Sequence, residues 1–164
     1  MATRIDFTQA YDASPADVTA MLLDGDYARL RAERTGALTV TVQTTESTDT
    51  SATMLVDRSL PADVPSFARS FVGDTLTVKE RYEWRLADDG TAEAHFTASF
   101  SAPMAFAGSV TVQRDGDGSI VRTAGEIKAS VPLIGGKVEG FAKDSMERYL
   151  KAEQRIGVEW LTSH

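Results

Sequence analysis

The feature that most constrains this fold is a proline-free amphipathic segment at the C-terminal end of the chain, from about Gly136 to Leu161. Apolar and small side chains recur there at steps of three or four, the spacing of one helix face. They are Val138, Phe141, Ser145, Tyr149, Ala152, Ile156 and Trp160. At a rise of about 1.5 Å per residue, roughly 25 residues give a helix of about 38 Å. The segment therefore predicts one long helix that crosses the face of a whole small-domain sheet.

Most of the remaining chain alternates between polar and apolar residues, which is typical of half-buried strands. The first such run contains Ile5, Phe7, Gln9 and Tyr11. Six further runs begin near Leu38, Ala52, Thr75, Thr91, Ala105 and Ser119. The segments TDTS, ADDG and RDGDG between runs have the composition of tight turns. The pattern predicts seven strands, with the last six joined as sequential antiparallel neighbours.

Two segments interrupt the alternation. After the first strand, Ser14 and Pro15 form a helix start, Gly25 separates two helical pieces, and Gly36 ends the second piece. The segment from Pro61 to Gly73 is too long for a tight hairpin and carries apolar residues at helix-like spacing. We interpret it as a loop with one helical turn that could cover an opening.

Composition limits the class of protein. With 164 residues, of which 42% are apolar, we expect a single domain over residues 1–164 with material for a buried core. The 24 acidic residues outnumber the 17 basic ones, and the net charge of -7 opposes binding to nucleic acid or to anionic membrane surfaces.

The chain has no cysteine, which removes disulfides and thiolate chemistry. The N-terminal residues MATRIDFTQAY have no signal-peptide pattern, and no window approaches the roughly 20 apolar residues of a membrane span. We therefore expect a cytoplasmic protein without a membrane span.

The predicted order is one strand, two short helices, six strands and one long helix, which is an α+β arrangement. It resembles the helix-grip fold of the START and birch-pollen-allergen (SRPBCC) superfamily, in which a curved antiparallel sheet of seven strands closes over a C-terminal helix. The segment VPLIGGKVEGFAKDSMERYLKAEQRIGVEWL, preceded by GEIKAS, is similar to an uncharacterised bacterial family of START-like domains. The shared feature is a strand-to-helix junction with paired glycines, here Gly135 and Gly136.

This resemblance implies a cavity between the sheet and the long helix. Members of the superfamily use that cavity for lipids, sterols, polyketides or other apolar molecules. The same fold includes binding proteins, cyclases and proteins that bind partners, so the resemblance implies no single activity.

Alternation assigns many residues to the inner face of the sheet. They are Leu38, Val40, Val42, Ala52, Met54, Val56, Leu76, Val78, Tyr82, Trp84, Ala92, Ala94, Phe96, Ala98, Phe100, Phe106, Val110, Val112, Val121, Ile127 and Ala129. Small residues are frequent on this face, and together with Gly108 and Gly125 they either let the helix sit close or leave space for a ligand. A filled apolar core is the alternative.

Arg58 and Glu80 fall in register with this apolar face. A charge buried alone is costly, so each needs a partner or a wet cavity. We expect both to supply polar contacts of a ligand site, with Tyr82 and Tyr149 adding hydroxyls. Met54, Trp84, Phe96, Phe141 and Ser145 complete the predicted ligand-binding set. The alternatives are a register slip at a bulge or a surface ion pair at the sheet rim.

Other chemistry finds little support in the sequence. His95 lies on the polar side of its strand, far from His164, so no metal site is expected. The run Asp115 to Gly118 lacks the later ligands of a calcium loop and is interpreted as a hairpin turn. Gly135, Gly136 and Lys137 lack the phosphate-loop pattern and are interpreted as a junction. We expect no cofactor and assign no catalytic residue.

These observations favour a non-catalytic protein that binds an apolar small molecule or lipid between the sheet and the helix. One alternative is an enzyme of the polyketide cyclase or dehydratase type, in which Arg58, Glu80 and Tyr82 position and protonate the substrate. Another is a protein-interaction module with a filled cavity and an exposed apolar patch. The sequence determines neither the ligand nor the oligomeric state.

Overall fold

The computed structural model describes residues 2–164 and contains the predicted order of elements. The strands are β1 Thr3–Tyr11, β2 Thr39–Thr45, β3 Ser51–Pro61, β4 Thr75–Leu86, β5 Ala92–Phe100, β6 Met104–Asp115 and β7 Gly118–Ala129. The helices are α1 Pro15–Leu23, α2 Gly25–Arg34, α3 Arg69–Val72 and α4 Gly135–Ser163. The strands form one antiparallel sheet in the order β1-β7-β6-β5-β4-β3-β2. The helix-grip architecture is thereby confirmed.

Strand alternation places the core on one face of the sheet. In β5, Ala94 and Phe96 are buried, whereas the side chains of Glu93 and His95 point outward and are exposed. The assignment of Leu38 to the inner face is wrong, because that side chain is 59% exposed. Leu38 precedes β2, which is the edge strand of the sheet.

Capping side chains explain where α1 and α2 begin. The Ser14 side chain accepts a hydrogen bond from the Asp17 backbone N–H (3.2 Å), and Pro15 is the first residue of α1. The break between the helices lies at Asp24, whose carboxylate accepts hydrogen bonds from the backbone N–H groups of Asp26 (2.8 Å) and Tyr27 (3.2 Å). Asp24 ends α1 and caps the start of α2, so two short helices form in place of one long helix.

Gly108 and Gly125 lie opposite each other in the pairing of β6 with β7. A Cβ atom at Gly108 would overlap the backbone carbonyl of Ala124, and one at Gly125 would overlap that of Ala107. The glycines thus permit a close approach of two backbones. They are a requirement of the strand pairing and are not a source of ligand space.

The long helix α4 is buried unevenly along its length. Its C-terminal half packs on β1 and buries Leu150, Glu153 and Ile156. In its N-terminal half, Phe141 and Ser145 are only half-buried. The part of α4 around Phe141 and Ser145 is therefore less closely packed than its C-terminal half.

Near the start of α4, a single carboxylate ties the helix to the sheet. Glu139 accepts hydrogen bonds from the Thr3 hydroxyl (2.8 Å) and from the Ala129 backbone N–H (2.9 Å). The Ala129 hydrogen bond holds the pKa of Glu139 below its usual range. Within residues 2–164, no helix combines the length and hydrophobicity needed to cross a membrane.

Candidate functional site: two chambers and a buried charge network

A cavity of about 270 Å³, here called the outer chamber, lies under the N-terminal half of α4. Its walls come from the β3–β4 connection, from the sheet and from α4, and they are mostly apolar. Representative lining residues are Leu60, Phe71, Leu76, Met104, Phe141 and Ser145. A completely filled core does not account for this space.

The segment 62–73 covers one side of the outer chamber. It contains the four-residue helix α3, and Ala68, Phe71 and Val72 line the chamber. The Lys137 Nζ atom of α4 lies 5.1 Å from the ring centroid of Phe67, within the range of a cation–π contact. This contact joins the covering segment to the first turn of α4.

A second, smaller cavity of about 60 Å³, the inner chamber, lies deeper between the sheet and the helices. Six residues line both chambers: Arg58, Val78, Phe100, Phe106, Met146 and Tyr149. The Arg58 guanidinium carbon lies 4.9 Å from the ring centroid of Tyr149. This stacked pair lies at the boundary between the outer and inner chambers.

Arg58 and Glu80 form a buried ion pair at this boundary. The Nε and Nη2 atoms of Arg58 are each 2.9 Å from Glu80 Oε1. The Tyr82 hydroxyl donates to Glu80 Oε2 at 2.7 Å. The two charged side chains are only 8% and 6% exposed, so neither the register-slip nor the surface-pair alternative applies.

Charge and burial act in opposite directions on these groups. Burial by itself would raise the pKa of Glu80, but the charges of Arg58 and Arg31 and the Tyr82 hydrogen bond outweigh it, so the pKa lies below its usual value. Burial raises the pKa of Tyr149 and of Tyr82 well above the usual phenol value. At neutral pH the site therefore holds an ionised carboxylate and two protonated phenols.

A second buried ion pair, which was not predicted from the sequence, lies beside the first. Arg31 Nη1 on α2 is 3.0 Å from Glu153 Oε2 on α4, and both side chains are 7% exposed. Gln9 Nε2 donates to Glu153 Oε1 (3.2 Å) and to the Leu150 carbonyl (2.8 Å). Arg31 and Glu153 each lie in a charge-rich helical stretch. The available signal was the position of Glu153, four residues after Tyr149 on the buried helix face.

The predicted ligand-binding residues divide between the two chambers. Met54, Glu80, Tyr82, Trp84 and Phe96 line the inner chamber. Phe141 and Ser145 line the outer chamber. Arg58 and Tyr149 line both. The structure thus brings all nine side chains to one continuous region, while their contact with a ligand stays a prediction.

Three other sequence features lie outside this region. His95 is exposed on the outer face of the sheet. Asp115 pairs with Gly118 across a tight turn, and Gly116 has φ 58°, as the hairpin interpretation predicts. Gly135 is the first residue of α4, which confirms the strand-to-helix junction.

Comparisons with solved structures find the same fold in proteins of different activity. The Zhui aromatase/cyclase from Streptomyces sp. R1128 is 12% identical, with a TM-score of 0.62, and the match covers 97% of this chain and 93% of that one. A STAR-related lipid transfer protein from Xanthomonas axonopodis is 19% identical, with a TM-score of 0.54 and coverage of 94% and 85%. Human STARD10 is 10% identical, with a TM-score of 0.64 and coverage of 98% and 66%. At such identities the likeness establishes the fold alone.

The search of curated proteins found no match. A family model described as "Protein of unknown function (DUF2505)" matches residues 6–161, which is most of the chain. The match includes both charged pairs and the lining of both chambers. The chain therefore belongs to this family of unknown function, and its architecture is the START-like helix-grip fold.

Proposed function

We propose that this protein binds an apolar small molecule or lipid in the outer chamber, with a polar part of the ligand near Arg58 and Tyr149, where the two chambers meet. The observation that carries this proposal is the unfilled, mostly apolar cavity of about 270 Å³. A cavity of about 150 Å³ already suffices to bind benzene. The outer chamber is nearly twice that size, which suits one molecule of moderate length.

The position of the polar groups supports the same proposal. Arg58 and Tyr149 lie at the inner end of a mostly apolar chamber. Small-molecule sites typically combine apolar walls with a few placed polar groups that orient the ligand. An apolar body in the outer chamber and a polar end at Arg58 would match that distribution. Similar folds in proteins named for lipid transfer are compatible with it.

Native mass spectrometry of the protein purified from a cell extract tests the proposal, followed by denaturing extraction of any retained molecule. We expect an apolar compound that is released on unfolding, or uptake after incubation with lipid and polyketide pools. A bare mass under both conditions would contradict the proposal.

A matched pair of variants localises the ligand. Ser145→Trp places a large ring in the outer chamber, since Ser145 lines it. Asp144→Trp places the same ring on the exposed face of α4. We expect Ser145→Trp to lose the ligand and Asp144→Trp to retain it, with both variants folded by circular dichroism. Equal retention in the two variants would place the ligand elsewhere.

A second candidate is a polyketide cyclase or dehydratase activity, favoured by one observation. Tyr82 donates to an ionised, buried Glu80 beside the Arg58 guanidinium, so a proton donor and a cation lie together near the cavity. In an enzyme, Tyr82→Phe would abolish product formation from a polyketide substrate while ligand retention persisted. Product formation that is unchanged in Tyr82→Phe would exclude this role for the phenol.

A further inference from the structure

We propose that the ligand is uncharged and elongated, and that its innermost group is a hydrogen-bond acceptor such as a carbonyl oxygen. This inference depends on the proposed binding function and specifies the chemistry of the ligand. It follows from three properties of the inner chamber, namely its charge balance, its occupied acceptors and its free donors.

The first property is that the charges around the inner chamber already balance. Arg31 and Arg58 face Glu153 and Glu80, which gives two positive and two negative side chains in two ion pairs. All four are nine-tenths or more buried. A carboxylate or phosphate on the ligand would add an unbalanced negative charge to a mostly apolar interior, which is costly. An uncharged ligand avoids that cost.

The second property is that every carboxylate oxygen of the chamber already accepts a hydrogen bond. Glu80 Oε1 accepts from Arg58, and Oε2 accepts from Tyr82. Glu153 Oε1 accepts from Gln9, and Oε2 accepts from Arg31. A ligand that offered only donors, such as an amine, would compete with these hydrogen bonds.

The third property is that donors remain free. The Trp84 side chain lines the inner chamber and is 4% exposed, and its indole N–H has no hydrogen-bond partner within residues 2–164. A guanidinium carries five N–H donors. Arg58 donates a hydrogen bond from Nε to Glu80 and places Nη2 at 2.9 Å from the same carboxylate oxygen, so donors on Nη1 remain on a side chain that borders both chambers. Because a buried indole N–H without a partner costs free energy, a ligand oxygen placed there is favoured.

A ligand that extends from the outer chamber to Trp84 is elongated. Leu76 lines the outer chamber and Trp84 the inner one, both on the inward face of β4. Eight residues of strand at about 3.3 Å each separate their Cα atoms by about 26 Å. A molecule that contacts both ends is therefore narrow and long, and it passes the stacked side chains of Arg58 and Tyr149.

Isothermal titration calorimetry with three probes of equal carbon number tests this inference: methyl octyl ketone, decanoate and decane. They share an apolar chain and differ at one end. The ketone carries a neutral acceptor there, decanoate carries an anion, and decane carries only hydrocarbon. We expect the ketone to bind about 3- to 10-fold more tightly than decane, the gain of one hydrogen bond. We expect decanoate to bind more weakly than either.

Paired tryptophan variants identify the donor. Trp84→Phe removes the indole N–H from a side chain that lines the inner chamber, whereas Trp160→Phe makes the same substitution near the end of α4, outside both chambers. We expect Trp84→Phe to abolish the preference for the ketone over decane, and Trp160→Phe to leave it unchanged. The readout is the ratio of the affinities for the ketone and for decane. A packing defect that weakens the binding of both probes equally leaves this ratio unchanged.

The outcomes separate the two proposals. Binding of decanoate as tight as that of the ketone, or a ketone preference that survives Trp84→Phe, would overturn the inference about the ligand's inner group while leaving the cavity as a binding site. Failure of all three probes to bind would overturn both the inference and the proposed function.

Discussion

Arg58 and Glu80 form their buried ion pair diagonally across two strands. In the register of β3 with β4, Arg58 lies opposite Val78, and Glu80 lies opposite Val56. Side chains on diagonal positions are about 7–8 Å apart at their bases, which an arginine side chain spans. The 2.9 Å contact between the two groups is therefore a product of strand register, and it places a cation and an anion together in an apolar interior.

Removal of one member of this pair should destabilise the protein strongly. Glu80→Gln leaves the Arg58 charge buried without its partner, so we expect a loss of about 3–5 kcal/mol in the free energy of unfolding, measured by urea denaturation. The exposed pair of Arg81 and Glu83 is the control. Glu83→Gln should cost less than about 1 kcal/mol. Equal effects of the two substitutions would show that Arg58 finds another partner or reaches water.

The same pair predicts an acid dependence of stability. Because the folded-state pKa of Glu80 lies below the usual value of 4.5, its contribution is fully present above about pH 4.5 and is lost as the pH falls through the lowered pKa. The unfolding free energies of the wild type and of Glu80→Gln should therefore converge in acid. Urea titrations from pH 7 to pH 3 measure this. A constant difference between the two proteins would contradict the pKa direction.

Gly157 allows α4 to pass over two tyrosines. A Cβ atom there would lie 2.8 Å from Tyr11 Cε1 and 3.1 Å from the Tyr27 hydroxyl, both in the buried core. We expect Gly157→Ala to lower the melting temperature, with a cost of about 1–3 kcal/mol for overpacking. Gly140 is the matched control on the same helix, because a Cβ atom there meets nothing within 4 Å. Gly140→Ala should instead stabilise by about 0.5–1 kcal/mol.

Gly108 offers a test of strand pairing. Since a Cβ atom would overlap the Ala124 backbone carbonyl, which cannot rotate away, Gly108→Ala should shift β6 against β7 and cost more than about 1 kcal/mol. Ser109→Ala, on the next residue of β6, adds no atoms and serves as the control. Amide hydrogen exchange of β7 should accelerate in Gly108→Ala alone. Unchanged exchange in β7 would show that the pairing of β6 with β7 tolerates the added methyl group, which would contradict this prediction.

Local patterns predicted the elements of this fold accurately. The alternation of apolar residues predicted all seven strands, and the cap at Ser14 and the proline-free stripe after Gly136 predicted α1 and α4. Alternation also placed Arg58 and Glu80 on the inner face, because successive side chains of a strand point to opposite faces of the sheet. It failed at Leu38, where the apolar residue precedes the edge strand and nothing covers it.

The candidate site was only partly predictable. Gly108 and Gly125 were interpreted as a source of space for the helix or a ligand, whereas they permit close contact between the backbones of β6 and β7. A glycine in the sequence does not show which backbone lies next to it. Arg31 and Glu153 were missed because they are 122 residues apart and each resembles an ordinary surface charge of its helix. Their burial depends on how α2 and α4 meet, which neither local sequence contains.

The sequence by itself determined the type, order and inward face of each element, because hydrophobic period and capping are properties of neighbouring residues. Only the tertiary structure decided that two ion pairs share one interior and that a cavity of about 270 Å³ lies under the N-terminal half of α4. These features depend on the distances between layers, and those distances are set by the summed packing of residues far apart in the chain.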